Sequence, residues 1–273
     1  MKLRLPLSHG LPVFRSVFPQ YGENLYRTAA ALRQKYPEAT AIDVGANVGD
    51  SVAFIRDAAD WPILCIEGEP RFNALLQTNT AHLSDVEIVQ AFVGPGQGET
   101  YSCLVEGTGT SRLVAGDGEG PASLVPLAQI AAQHPRFESP RLVKIDTDGF
   151  DLQIISGDIE FLQAARAAVF FEYDPFLFAD QGVGGLEVFR ILRDAGYSLA
   201  AFWDNWGDYL LTAGLDDVDL LTDLAAYYEG RGGGRYADVC VFHEQDRDVA
   251  QILRQGERAF FGKFRPRPAA PST

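Results

Sequence analysis

Four carboxylates and one lysine stand where apolar, β-type runs end, and together they define the chemistry this chain can offer. Asp43 lies in the run Ala41, Ile42, Val44; Glu67 closes Ile63 to Ile66; Lys144 and Asp146 fall two apart at the end of the run from Arg141 to Asp146; Glu172 closes the run from Ala168. Strand side chains alternate faces, so Lys144 and Asp146 point to the same side. Burying Lys144 without a partner would cost several kcal/mol, so it requires a carboxylate, and Asp146 and Glu172 are the available ones. A lysine with two acids at neighbouring strand ends is either a structural ion cluster or an active site. A metal set built from Asp146, Asp148, Asp151 and Glu172 is conceivable by ligand type, but no metal is expected.

The elements that must position these groups begin with TAIDVGANVGDSVAFI, Thr40 to Ile55. It reads as a strand, a turn through Gly45, Asn47 and Gly49, and a helix start with Val52 and Ile55 on one face. Gly45 and Gly49 suit a turn needing positive φ or close approach of a ligand, and the helix that follows leaves its first amides unpaired near Ser51. Glu67, with Gly68 beyond it, comes on the order of 20 residues after that turn, where a nucleoside-binding fold places an acid on the ribose hydroxyls. The next strand, Val86 to Ala91, ends in Gln90 and Ala91, which would lie near an adenine. The plainer alternatives are a turn glycine, a solvated strand-end acid and a polar strand end.

The turn also discriminates among nucleosides. Gly45-Ala46-Asn47-Val48-Gly49 lacks the G-x-G-x-x-G fingerprint of nicotinamide dinucleotides, and no Lys-Ser or Lys-Thr closes it as in a P-loop. S-adenosylmethionine carries an ammonium and a sulfonium and no phosphate, so acids beside the turn suit it electrostatically.

Taken in order, DVGANVGDS, IEGEPRFNALLQTN, LVKIDTDGFDLQIISG and FFEYDP resemble the FkbM-type family of S-adenosylmethionine-dependent methyltransferases, over roughly residues 22–245. The family's K-I-D-V-E-G-x-E run stands here as Lys144, Ile145, Asp146, Thr147, Asp148, Gly149, Phe150 and Asp151, with both glutamates shortened to aspartates. The resemblance implies an α/β, Rossmann-like class I methyltransferase fold: a doubly wound, mostly parallel sheet of about seven strands, the last, Tyr236 to Phe242, antiparallel. It implies S-adenosylmethionine as cofactor, bound by Asp43, Gly45, Asn47, Gly49, Ser51, Glu67, Gly68, Gln90 and Ala91. Asp146, with Lys144 and Glu172, would then sit at the transferred methyl group. The acceptor it implies is a hydroxyl of a saccharide or of a glycosylated or polyketide-type metabolite. A protein or lipid-headgroup acceptor, and a catalytically inactive donor-binding subunit, are the alternatives.

The remaining chain reads as scaffold and walls. Residues 1–37 form an N-terminal segment with an amphipathic helix from Tyr21 to Tyr36; 38–262 form one domain; 94–126 form a glycine-rich hairpin and loop inserted at the ligand edge; 263–273 form a disordered tail. Pro70 opens a helix, and Leu152, Ile155, Ile159 and Leu162 lie on one face of another, for which Asp148 is a natural cap or a substrate contact. In WDNWGDY, Trp203 to Tyr209, aromatic faces beside acid and amide groups could grip a sugar, with Trp203, Asp204 and Asn205 as the contacts. The net charge of -14 disfavours a nucleic-acid partner. Cys65, Cys103 and Cys240 form no disulfide framework, and no apolar run reaches membrane-span length, so a reduced, cytoplasmic setting is expected.

Overall fold

The computed structural model describes residues 2–96, 101–105, 111–115, 121–147, 149–180, 182–230 and 235–263. Asp148, much of the glycine-rich loop and nearly all of the expected tail lie outside these residues.

Eight strands build one sheet: β1 (Ala41–Val44), β2 (Ile63–Ile66), β3 (Val86–Val89), β4 (Leu142–Ile145), β5 (Ala168–Tyr173), β6 (Tyr197–Asp204), β7 (Tyr209–Gly214) and β8 (Ala237–His243). Their order is β7-β6-β8-β5-β4-β1-β2-β3. The five from β3 to β5 run parallel, β8 is antiparallel to both β5 and β6, and β7 is antiparallel to β6. The antiparallel insertion of β8 matches expectation, whereas β7 is an eighth strand that WDNWGDY conceals. That segment is the turn of the β6–β7 hairpin, where Asp204 Oδ1 accepts the N–H groups of Trp206 and Asp208 at 3.0 and 2.9 Å.

Successive residues feed two cores, one on each sheet face. Ile42, Val44, Leu64, Ile66, Val143 and Ile145 pack into one; Ala41, Ile63, Cys65 and Leu142 pack into the other. Asp43 and Lys144 belong by alternation to the second face and are direct partners in the β1–β4 register. They are the polar exceptions in a pair of strands buried throughout.

The chain leaves β1 toward β2 and β3, then returns to place β4 on the opposite side of β1. The switch point of the sheet therefore lies between the carboxyl ends of β1 and β4, where ligands of open α/β sheets bind. Helices α1 (Leu11–Val17) and α2 (Glu23–Lys35) precede β1; α3 (Asp50–Ala59) and α4 (Pro70–Thr80) join β1 to β2 and β2 to β3. The expected helix through Leu152 and Leu162 is two helices, Asp151–Gly157 and Ile159–Ala165. The break falls at Asp158, whose carboxylate accepts the N–H groups of Leu127 and Ala128 at 3.0 and 2.9 Å and so caps the helix Leu127–Ala132. No helix among the described residues is long and apolar enough to cross a membrane.

Candidate active site

A cavity of about 400 Å³ opens at the switch point. Its floor is the ion cluster on β1 and β4. Lys144 Nζ lies 3.1 Å from Asp43 Oδ1, from Asp146 Oδ2 and from the Gly45 carbonyl oxygen. Burial works to lower the Lys144 pKa, but Asp146, Asp43 and Asp50 together hold it well above its ordinary value, so it is a fixed cation. Asp43, fully buried, also accepts a hydrogen bond from Ser51 Oγ at the start of α3. The lysine's ion-pair partners are thus Asp43 and Asp146, rather than the expected Asp146 and Glu172: β1 is β4's immediate neighbour and brings Asp43 into direct register.

Gly45 begins the turn at φ +74°, and a Cβ there would lie 1.8 Å from the Asp146 carbonyl oxygen. The chain segments leaving β1 and β4 touch backbone to backbone, which only glycine permits. Gly49, at φ +88°, caps α3 and packs toward Leu76, so its role is in the turn and not on the cavity wall.

Glu67, 5% exposed, accepts the Asn47 N–H through Oε2 and the Glu69 N–H through Oε1, each at 2.8 Å. This carboxylate locks the glycine turn to the end of β2. Burial pushes its pKa up to about 7 against the lowering effect of those two N–H groups. Glu69 in turn caps α4 by accepting the N–H groups of Arg71 and Phe72, with Pro70 in the first turn as the sequence implies.

Gly45, Asn47, Ser51, Glu67, Gly68, Ala91, Lys144, Asp146 and Glu172 all line the cavity. Asp43 stands behind them, joined through Ser51 and Lys144. Gln90 is exposed and off the wall; Ala91 and Phe92 fill that position instead. Trp203 is fully buried in the core, against Phe170 and Tyr209, and Asp204 is spent on its own turn. With Asn205 they lie away from the cavity, so the expected sugar grip at WDNWGDY is replaced by hairpin and core packing.

Other lining residues were not singled out, although the N-terminal helix was expected as scaffold or wall. Asp50 follows Gly49 in the same motif, and burial raises its pKa. Tyr21 and Asn24 come from the N-terminal segment, and Tyr236 and Asp238 from the entry to β8. Asn24 Nδ2 donates to Asp238 Oδ2 at 2.6 Å across 214 residues of sequence, a pairing that no local pattern reveals. Burial pushes Asp238 up to about 7, with Asp146 adding to the rise. Asp151, one of the two shortened acids, accepts from Thr147 Oγ1 at 3.0 Å and from the Glu172 N–H at 3.3 Å, tying the loop after β4 to β5. Burial, then Asp146, lifts it to about 7. Among the described residues no group of three or more acidic, His or Cys side chains is arranged to hold a metal.

No curated protein matches the chain. Among solved structures it is similar to the precorrin-6y C5,15-methyltransferase of Geobacter metallireducens GS-15, with a TM-score of 0.42, 10% identity, and coverage of 80% of this chain and 87% of that one. It is also similar to the FkbM methyltransferase of Methylobacillus flagellatus KT, with a TM-score of 0.40, 11% identity, and coverage of 85% of this chain and 59% of that one. The model of the methyltransferase FkbM domain matches residues 43–199, from the buried acid of β1 into β6. That match spans more than half of the sequence, and the chain belongs to the FkbM methyltransferase family.

Proposed function

We propose that the cavity binds S-adenosylmethionine and that the chain transfers its methyl group to a hydroxyl of a saccharide or of a glycosylated or polyketide-type metabolite. The observation that carries the donor assignment is the charge of the wall. Asp50, Glu67, Asp146, Glu172 and Asp238 line it, while its lysine is already held by Asp43 and Asp146. A donor with a sulfonium and an ammonium complements such a wall; among the described residues a pyrophosphate would meet carboxylates with no guanidinium to offset them.

S-adenosylmethionine, when bound, supplies a methyl group activated by a positive sulfur. The chain's residues do the rest. Glu67 and the turn from Gly45 to Gly49 offer the ribose and backbone contacts; Ala91 and Phe92 offer an apolar edge for adenine. Asp146 Oδ2 is held by Lys144, which leaves Oδ1 to orient the acceptor hydroxyl. As the acceptor oxygen takes the methyl group from the donor's sulfur, that carboxylate would accept the hydroxyl proton and pass it to water.

Methyl-labelled S-adenosylmethionine incubated with a panel of sugars, glycosides and polyketide lactones tests this reading. Label in an ether linkage, with the rate falling about 10²- to 10⁴-fold in Asp146→Asn, is the expected result. Label on protein or on a lipid headgroup, or an Asp146→Asn rate equal to wild type, contradicts it.

A further inference from the structure

The acidic wall suits the sulfonium and ammonium of S-adenosylmethionine, but the same molecule also carries a carboxylate. Lys144 is committed to Asp43, Asp146 and the Gly45 carbonyl. Asn24 donates to Asp238, and Ser51 donates to Asp43. The Tyr21 and Tyr236 phenols lie in the field of Asp146, Glu172 and Asp238, which repel an anion. A carboxylate in this cavity therefore needs a hydrogen-bond donor away from those acids.

His9 offers one. Its Nδ1 accepts the Leu11 N–H at 3.2 Å, which puts the proton of the neutral ring on Nε2. Nε2 is buried and meets no partner among the described residues, while the ring lines the cavity with Leu11 and Phe14. A buried N–H left unpaired is costly and rare in a native fold, and a bound ligand can supply the acceptor. The path of the chain indicates which part of the ligand that is. Five residues before His9, the Arg4 N–H donates to Asn79 Oδ1 at 2.7 Å, and Asn79 Nδ2 donates to the carbonyls of Arg4 and Val48 at 3.0 and 2.8 Å. The segment is thereby strapped to the turn after β1. On the donor assignment above, on which this inference rests, adenine lies at the end of β3, ribose at the end of β2 and the methyl group toward Asp146 at the end of β4. That arrangement leaves the amino-acid end over the intervening β1 turn.

We propose that His9 binds the carboxylate of S-adenosylmethionine through Nε2–H. His9 stands outside residues 43–199, the span of the family's domain, so the contact belongs to the N-terminal segment and not to the shared domain. It takes no part in proton transfer; it selects a donor that retains its carboxylate.

The test is calorimetric titration near pH 7.5 on wild type, His9→Phe and His9→Gln. The ligands are S-adenosylmethionine and decarboxylated S-adenosylmethionine, which keeps the sulfonium and the ammonium. Wild type is expected to bind S-adenosylmethionine about tenfold or more tightly, as a hydrogen bond to a charged group provides. His9→Phe should lose that margin and bind the decarboxylated ligand as wild type does. His9→Gln, which restores an amide N–H, should recover part of the margin. Equal binding of the two ligands by wild type, a margin that survives His9→Phe, or an equal loss for both ligands overturns the proposal, the last because it marks a merely structural role. If wild type binds neither ligand, the donor assignment falls and takes the proposal with it.

Discussion

Trp206 lies flat on Phe18, ring centroids 3.7 Å apart and planes 16° from parallel. This contact joins the β6–β7 turn to the N-terminal segment that supplies His9, Phe14, Tyr21 and Asn24 to the cavity wall. Arg27 strengthens the same junction, donating from Nη2 to the Gly207 carbonyl at 3.0 Å and pairing through Nε with the buried Glu257 of Arg247–Gly262 at 2.6 Å. The turn thus serves the site at one remove, by clamping the wall. Trp206→Ala should cost about 1–3 kcal/mol of stability. It should also expose the chain before Glu23 to limited proteolysis. Unchanged proteolysis and an unchanged Tm would show that the clamp carries no weight.

Lys144 is the keystone of the floor. Removing it leaves Asp43 buried beside Ser51 without its counter-charge, so Lys144→Met should destabilise the fold by about 3–5 kcal/mol. Adding Asp43→Asn should recover a large part of that loss, because the uncompensated charge goes with it. Chemical denaturation of the two single variants and the double variant provides the cycle. Additive losses would argue against a coupled pair.

Three carboxyls, two buried and one partly buried, give stability an unusual pH dependence. Glu67, Asp151 and Asp238 are held near 7, against ordinary values of 4.5, 3.8 and 3.8. Between those limits the folded chain keeps protons that the unfolded chain has released. Their contribution is complete below about pH 4 and is lost as pH rises through about 7. The ligand-free Tm should therefore fall between about pH 5.5 and pH 8, and Glu67→Gln with Asp151→Asn should flatten the slope. A cationic ligand favours the ionised carboxylates, so its affinity should rise over the same interval. A Tm that climbs with pH across this range contradicts the assignment.

What could be read from the sequence was what is local. The strand–turn–helix at Gly45, the acid closing β2, Pro70 at the start of α4 and the paired faces of Lys144 and Asp146 all follow from spacing within a few residues. The misreadings lie where distant segments decide. Lys144 takes Asp43 because the sheet order sets β1 beside β4, a fact no run of residues states. Leu152 to Leu162 keep one helical face through two helices, and only Asp158's capping of a helix some 30 residues earlier reveals the break. Tyr209–Gly214 is an edge strand and only partly buried, so its alternation is weak. Trp203 carries the same aromatic signature whether it grips a sugar or fills a core; its β6 position decides for the core. Asp238 belongs to the site only because β8 inserts between β5 and β6.

The most direct test of the central claim is calorimetric titration of the protein with S-adenosylmethionine, S-adenosylhomocysteine and NAD, beside a Glu67→Ala variant. Micromolar binding of both adenosyl ligands, lost in Glu67→Ala and absent for NAD, is the predicted result. No adenosyl binding by the wild type, or NAD bound as tightly as S-adenosylhomocysteine, would contradict a methyl-donor site at the β1–β4 switch point.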